Sequence, residues 1–282
     1  TRFKCDWSSD VCSSDLTQSV TYLSQRTEAL MALFYLLTLY GFVRGLHARP
    51  RLWHCLAVVA CLLGALCKEI IVTAPVAVLL CDLALFGGGP SAALRRHRFL
   101  YLGLALSWLL TAALMLDVRS RGVGLGLGVS SFHYALTQCQ AVLLYLRLSL
   151  WPHPLVFDRG SPLLTSLADA WPYAALLLAL VLLALRAWKF SRPLGLVALA
   201  FFLLLAPASS FVPVVGATIA ENRAYLPSAA VVILLVLALH SLLRPPLARA
   251  ACLLLAAAAA AATFARNLDL DRKSTRLNSS HT

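Results

Sequence analysis

Read as apolar runs broken by polar punctuation, the chain shows neither strand alternation nor one-sided helical stripes. Long apolar stretches recur at Thr27–Val43, Leu52–Leu66, Ile70–Phe86, Phe99–Leu116, Trp171–Trp188, Pro193–Ala208, Pro227–Leu243 and Leu247–Phe264. A helix needs about 17–25 mostly apolar residues to cross a bilayer, and the shorter runs borrow flanking residues or tilt little. The pattern predicts an all-α polytopic membrane protein with about eight transmembrane helices. A further run, Tyr134–Leu150, is predicted to lie on or dip into one interface as an interfacial or re-entrant helix, ended by Trp151-Pro152-His153-Pro154.

The linkers between spans are sharply divided. Arg44/Arg49/Arg51, Arg95/Arg96/Arg98, Arg186/Lys189/Arg192 and Arg244/Arg249 hold cations and no acid. Placing them on the cytoplasmic side satisfies the bias of basic loops toward that face. The opposite face then receives Arg26, Lys68, Arg119, Arg121, Arg147, Arg159, Arg223 and Arg266 together with Glu28, Glu69, Asp117, Asp158, Asp169, Glu221 and Asp269. Asp82 is the one acid of the spans' inner ends. Carboxylates and cations gathered on one face suit a built site better than passive anchoring.

Composition agrees with this reading. Of 282 residues, 60% are hydrophobic, and the formal net charge is +12; a soluble domain carries far fewer apolar residues. The cations are scattered over short loops rather than gathered in one stripe, which argues against nucleic acid and for lipid headgroups as their neighbours.

Both ends read as foreign. Asp6 to Leu16 (DWSSDVCSSDL) and Asp271 to His281 (DRKSTRLNSSH) back-translate to one sequencing-adapter oligonucleotide in opposite senses. Residues 1–16 and 271–282 are therefore set aside as adapter-derived. Thr17–Leu270 is taken as part of a membrane domain interrupted at both ends. Within it Lys plus Arg number 19 (24 less five) and Asp plus Glu eight (12 less four), a net charge of +11. The six cysteines left, Cys55, Cys61, Cys67, Cys81, Cys139 and Cys252, fall almost entirely inside apolar runs as small hydrophobes, without metal or disulfide spacing.

Lys68-Glu69 interrupts two apolar runs with no turn residues around it, an expensive place for charge unless it is paired or wetted. One reading is a snorkelling ion pair at a helix end. The other is a cation for phosphate, with Glu69 orienting it or touching a sugar hydroxyl. Ala220-Glu221-Asn222-Arg223-Ala224-Tyr225-Leu226-Pro227-Ser228 opens a later span, with Pro227 suited to its first turn. Arg223 can fork onto a phosphate, and Tyr225 can hydrogen-bond at the interface; a plain interfacial anchor is the alternative. Arg26, beside Gln25 and Glu28, and Arg147, in Tyr145-Leu146-Arg147-Leu148, add cations to the same face. Arg26, Lys68, Arg147 and Arg223 thus form a candidate phosphate-binding set, with Glu69, Glu221 and Tyr225 as orienting or sugar-contacting groups. Gly122–Gly128 alternates glycine but lacks the Lys-Ser/Thr of a phosphate loop. His133 and His153 have no partner spacing. No cofactor or metal set is visible, and dependence on a divalent metal is left open.

Several segments resemble one family. Thr17–Arg26 (TQSVTYLSQR) is similar to the end of an "HPxxTExVxYxxxR" segment, and Cys67-Lys68-Glu69 with Asp82 to a "KE…P…D" segment. Tyr145–Pro152 and Pro207–Ser228 resemble "YLRLLLxP" and "PxSxxxP…ExRxYLPS" segments. The four, in order over nearly all of Thr17–Ser228, resemble the membrane O-mannosyltransferases that carry tetratricopeptide repeats, together with their bacterial relatives. Gln18 stands where that family commonly has Glu.

The resemblance implies a C-type glycosyltransferase of multi-span helical build. Such an enzyme moves a mannose-like hexose from a polyprenyl-phosphate donor to an acceptor hydroxyl on protein or glycan. Residue usage rich in Ala, Leu and Arg suggests a bacterial inner membrane with the site facing the periplasm. The family's catalytic acidic loop lies upstream of Thr17 and its repeats beyond Leu270, so no catalytic residue is assigned and the chain as given is expected to be inactive. Two other classes fit the same charges: a transporter or flippase for a lipid-linked glycan, which favours polar residues in mid-membrane, and a non-catalytic anchor for a repeat domain.

Overall fold

The computed structural model describes residues 26–115, 130–150, 166–207, 209 and 221–279, and all regular structure among them is helical. In chain order the helices are α1 (Arg26–His47), α2 (Pro50–Cys67), α3 (Ala74–Phe86), α4 (Pro90–Arg96), α5 (Arg98–Met115), α6 (Ser131–Leu150), α7 (Leu167–Phe190), α8 (Arg192–Leu205), α9 (Tyr225–Leu242) and α10 (Pro245–Ser279). Two 3-10 turns, Glu69–Thr73 and Glu221–Ala224, lead into α3 and α9.

Among the described residues, six segments are long and apolar enough to cross a membrane: Thr27–His47, Pro50–Cys67, Glu69–Phe86, Leu167–Phe190, Tyr225–Leu242 and Pro245–Phe264. A seventh, α4 with α5, passes as a pair but bends by 103° between them; α8 is apolar but shorter. Their outer surfaces carry exposed leucines such as Leu63, Leu109, Leu178, Leu183 and Leu253. A water-soluble domain would expose such wide apolar faces only at a cost, whereas lipid accepts them.

The boundaries follow local chemistry. Proline opens α2, α4 and α8 in the first turn, where its missing N–H is not needed. Ser166 accepts the Ala168 N–H at 3.1 Å and caps α7. Hydroxyls inside the spans bond back to their own helix: Thr38 to the Phe34 carbonyl at 2.8 Å, Ser107 to Leu104 at 2.7 Å and Thr111 to Ser107 at 2.8 Å.

The third span departs from the expected unbroken helix over Ile70–Phe86. Lys68 is extended (φ −161°, ψ 152°), Glu69–Thr73 form a 3-10 turn, and the α-helix starts only at Ala74, with Pro75 in its first turn. Trp108 of α5 donates from Nε1 to the Val72 carbonyl at 2.8 Å. Thr73 donates to the Ile70 carbonyl at 2.9 Å, so Tyr35 Oη of α1, 3.1 Å away, is the donor to Thr73 Oγ1. Neighbouring helices thus satisfy the polar groups that the break exposes. The cytoplasmic linker expected at Arg95–Arg98 is largely the short helix α4.

Two packed clusters organise the described residues. One joins α1, α2, α3 and α5 around Met31, Tyr35, Phe42, Ile70, Ile71 and Leu104, and takes in Leu204 and Leu226 from the second half. The other joins α6, α8 and α9 through Val142, Tyr145, Phe201, Leu205 and Val231. The Tyr134–Leu150 segment is indeed a helix, α6, with one face buried in that second cluster. α10 continues as helical backbone through Ser279, beyond the last apolar run.

Candidate functional site

The break at Lys68 puts a cation where α2 ends, beside the start of α1. Its ammonium forms an ion pair with Glu28, forty residues earlier. The Glu28 side chain is 2% exposed and that of Lys68 21%. A carboxylate removed from water to that degree needs a partner, because desolvation otherwise favours its neutral form. Sequence proximity suggested Glu69 as the residue that orients Lys68; the ion pair instead joins Lys68 to Glu28, across two helices.

Glu69, half-buried at the first position of the 3-10 turn, acts on a different cation. Its charge supports that of Arg223, on the 3-10 turn before α9. Arg223 is 7% exposed. Burial works against its charge, but Tyr145, Tyr134 with its hydrogen bond, and Glu69 outweigh that and hold its pKa above the ordinary arginine range. Nη1 donates to Tyr134 Oη at a long 3.4 Å. Tyr225 follows in α9, half-buried against the cluster that contains Ile70 and Leu226.

Lys68, Glu69, Arg223 and Tyr225 are therefore brought to one end of the bundle, with Glu28, Tyr134 and Tyr145 added by the fold. Arg26 begins α1 at this end, and Glu221 begins the 3-10 turn of Arg223; their side chains lie outside the described residues. Arg147 is exposed on α6, two residues beyond the fully buried Tyr145. Two helical steps turn a side chain by about 200°, so Arg147 leaves the face that meets Arg223. His133 lies in the first turn of α6, while the Gly122–Gly128 segment and His153 lie outside the described residues.

Sequence reasoning passed over Tyr134 and Tyr145, because an aromatic at helical spacing reads first as core. Their eleven-residue separation, three helical turns, is the signal that puts both on one face of α6. No trio of His, Cys, Asp or Glu poised for a metal occurs among the described residues.

Chemically, the arrangement gathers Lys68 paired with Glu28, and Arg223 bonded to the phenol of Tyr134 and within electrostatic reach of Tyr145 and Glu69, from α1, the α2–α3 break, α6 and the turn before α9. Glu28 compensates Lys68, and both Lys68 and Arg223 carry charged N–H donors that suit an anion. An arginine fork and a lysine point charge are the usual complement of a phosphate.

The other end of the bundle differs in kind. Guanidinium groups of Arg44, Arg96, Arg98 and Arg186 stack over Trp53, Phe86, Phe99 and Phe190 at 4.3–5.5 Å. Such pairs suit the headgroup level of a bilayer. Asp82, expected as an isolated inner acid, is fully buried there and accepts from Arg96 Nη1 at 2.7 Å and Tyr101 Oη at 3.0 Å.

No family model, curated protein or solved structure matches the chain.

Proposed function

We propose that this chain is the donor-binding part of a membrane glycosyltransferase. It would take a mannose-like hexose from a polyprenyl phosphate and pass it to an acceptor hydroxyl on the periplasmic face of a bacterial inner membrane. The observation that carries the reading is the meeting of the Glu28–Lys68 ion pair with the buried Arg223, which feels the charge of Glu69, at the end of the bundle away from the arginine-rich linkers. Eight crossings, if the six long helices were joined by α5 beyond its bend with α4 and by the short α8, would put Lys68 and Arg223 on one side.

In this mechanism the acceptor hydroxyl attacks the anomeric carbon and the glycosidic C–O bond to phosphate breaks. The lipid phosphate leaves with the bonding electrons, and a carboxylate takes the hydroxyl proton. By resemblance that carboxylate belongs to a loop upstream of Thr17. Lys68 and Arg223 offset the charge growing on the leaving phosphate. Glu28 holds Lys68 in place, Glu69 adds to the field at Arg223, and Tyr225 or Tyr134 donates to a phosphate or sugar oxygen. Charge stabilisation by one positioned donor is commonly worth about 10²–10³ in rate.

The test is photolabelling of the detergent-solubilised chain with a photoreactive polyprenyl-phosphate mannose. Labelling near Arg223 that unmodified polyprenyl-phosphate mannose competes away, and that falls about tenfold or more in Arg223→Ala, supports the reading. Labelling that survives the substitution, or that dolichol without phosphate competes equally well, rejects it.

A further inference from the structure

Between α3, α4 and α5 runs an apolar groove of about 530 Å³, lined among others by Pro75, Leu79, Leu94, Tyr101 and Trp108, with Arg98 as its one cation. Arg98 and Trp108 are ten residues apart on α5, about 15 Å along a helix. That is half of a roughly 30 Å hydrocarbon core, the reach of one acyl chain in one leaflet.

Charge decides what the groove suits. Asp82 lies close by, but its carboxylate is fully buried and taken up by Arg96 and by Tyr101, whose ring lines the groove. Arg98 is exposed and its guanidinium rests over the Phe99 ring at 4.7 Å. Neither Arg98 nor Arg95, on the adjoining α4, forms an ion pair with a carboxylate among the described residues. The 103° bend between α4 and α5 sets α4 across the span rather than along it, an orientation that suits the headgroup layer.

We infer that this groove holds an acyl chain of an anionic phospholipid whose phosphodiester sits on Arg98, in the leaflet bordered by the arginine-rich linkers. Basic pockets beside spanning helices favour acidic headgroups by about 1 kcal/mol per nearby cation, which corresponds to roughly fivefold in affinity. The site is separate from the donor site and does not depend on the glycosyltransferase reading.

The test uses the purified chain, delipidated in mild detergent and given equal amounts of dioleoyl-phosphatidylglycerol and dioleoyl-phosphatidylcholine. Native mass spectrometry then counts the lipids retained. The expected result is a preference of about fivefold for phosphatidylglycerol, weakened by salt. Arg98→Gln should remove the preference while leaving thermal stability unchanged. Ala105 also lines the groove, so Ala105→Phe, which fills it and keeps the charge, should reduce retention of both lipids. Equal retention of the two lipids by the parent, a preference that survives Arg98→Gln, or retention unaffected by Ala105→Phe would each overturn the inference.

Discussion

Glu28 and Lys68, forty residues apart in sequence, meet as an ion pair that ties the start of α1 to the break between α2 and α3. Removing one partner leaves a charge stranded, and for a pair this enclosed the loss is on the order of 3 kcal/mol. Lys68→Ala should lower the unfolding temperature in detergent clearly. Glu28→Leu combined with Lys68→Met should recover most of that loss, since neither charge then remains. A double variant as unstable as Lys68→Ala would show that the pair matters for something other than charge balance.

Arg223 stays charged well beyond the working pH range. Its pKa is raised in the folded state, so the stability its charge contributes is present below the unfolded value and fades only as pH rises past the arginine range. Donor-lipid capture through Arg223 should thus be flat between about pH 6 and 10. Arg223→Lys should bind more weakly at every pH, because a point charge cannot fork onto phosphate. A fall in capture by the parent chain that follows a group titrating near pH 7 would point to another residue as the anion receptor.

Cysteine labelling addresses the sidedness directly. With a membrane-impermeant maleimide on intact spheroplasts, Lys68→Cys and Arg223→Cys should react from the same side. Arg49→Cys and Arg244→Cys should react only after permeabilisation. Opposite sidedness of positions 68 and 223 would abolish a shared phosphate site.

At the other end, Arg96→Ala strips the buried Asp82 of its charged donor and leaves only Tyr101. A loss of about 1–3 kcal/mol is expected, and about 1 kcal/mol for Tyr101→Phe. Chemical denaturation in mixed micelles measures both. A neutral Arg96→Ala would mean that Asp82 gains another partner or a proton.

Gly87 ends α3 with φ +70°, and a Cβ there would lie 2.5 Å from Arg192 Nη1. Arg192, at the start of α8, donates to the Leu83 carbonyl at 3.2 Å and so caps α3 from the second half of the chain. Gly87→Ala should cost about 1–3 kcal/mol through backbone strain and displacement of that cap. Arg192→Ala alone should cost less, and a Gly87→Ala variant as stable as its parent would contradict the strained geometry.

The helical class, the positions of most apolar segments and the unequal distribution of charge were written in the sequence. Apolar run length and basic linkers report directly on the demands of a bilayer, one residue at a time. Lys68-Glu69 and Arg223-Tyr225 stood out because charge between apolar runs is costly wherever the chain goes.

What paired with what was decided only by tertiary structure. Glu28 rather than Glu69 holds Lys68, Glu69 acts on Arg223, Tyr134 and Tyr145 join the site, and Arg147 turns away from it. The reason is physical: hydropathy fixes how deep a residue lies, whereas its neighbours depend on how each helix is rotated and where a break such as Lys68 redirects the chain. Rotation is set by side-chain packing between distant segments, and no single run of sequence contains it.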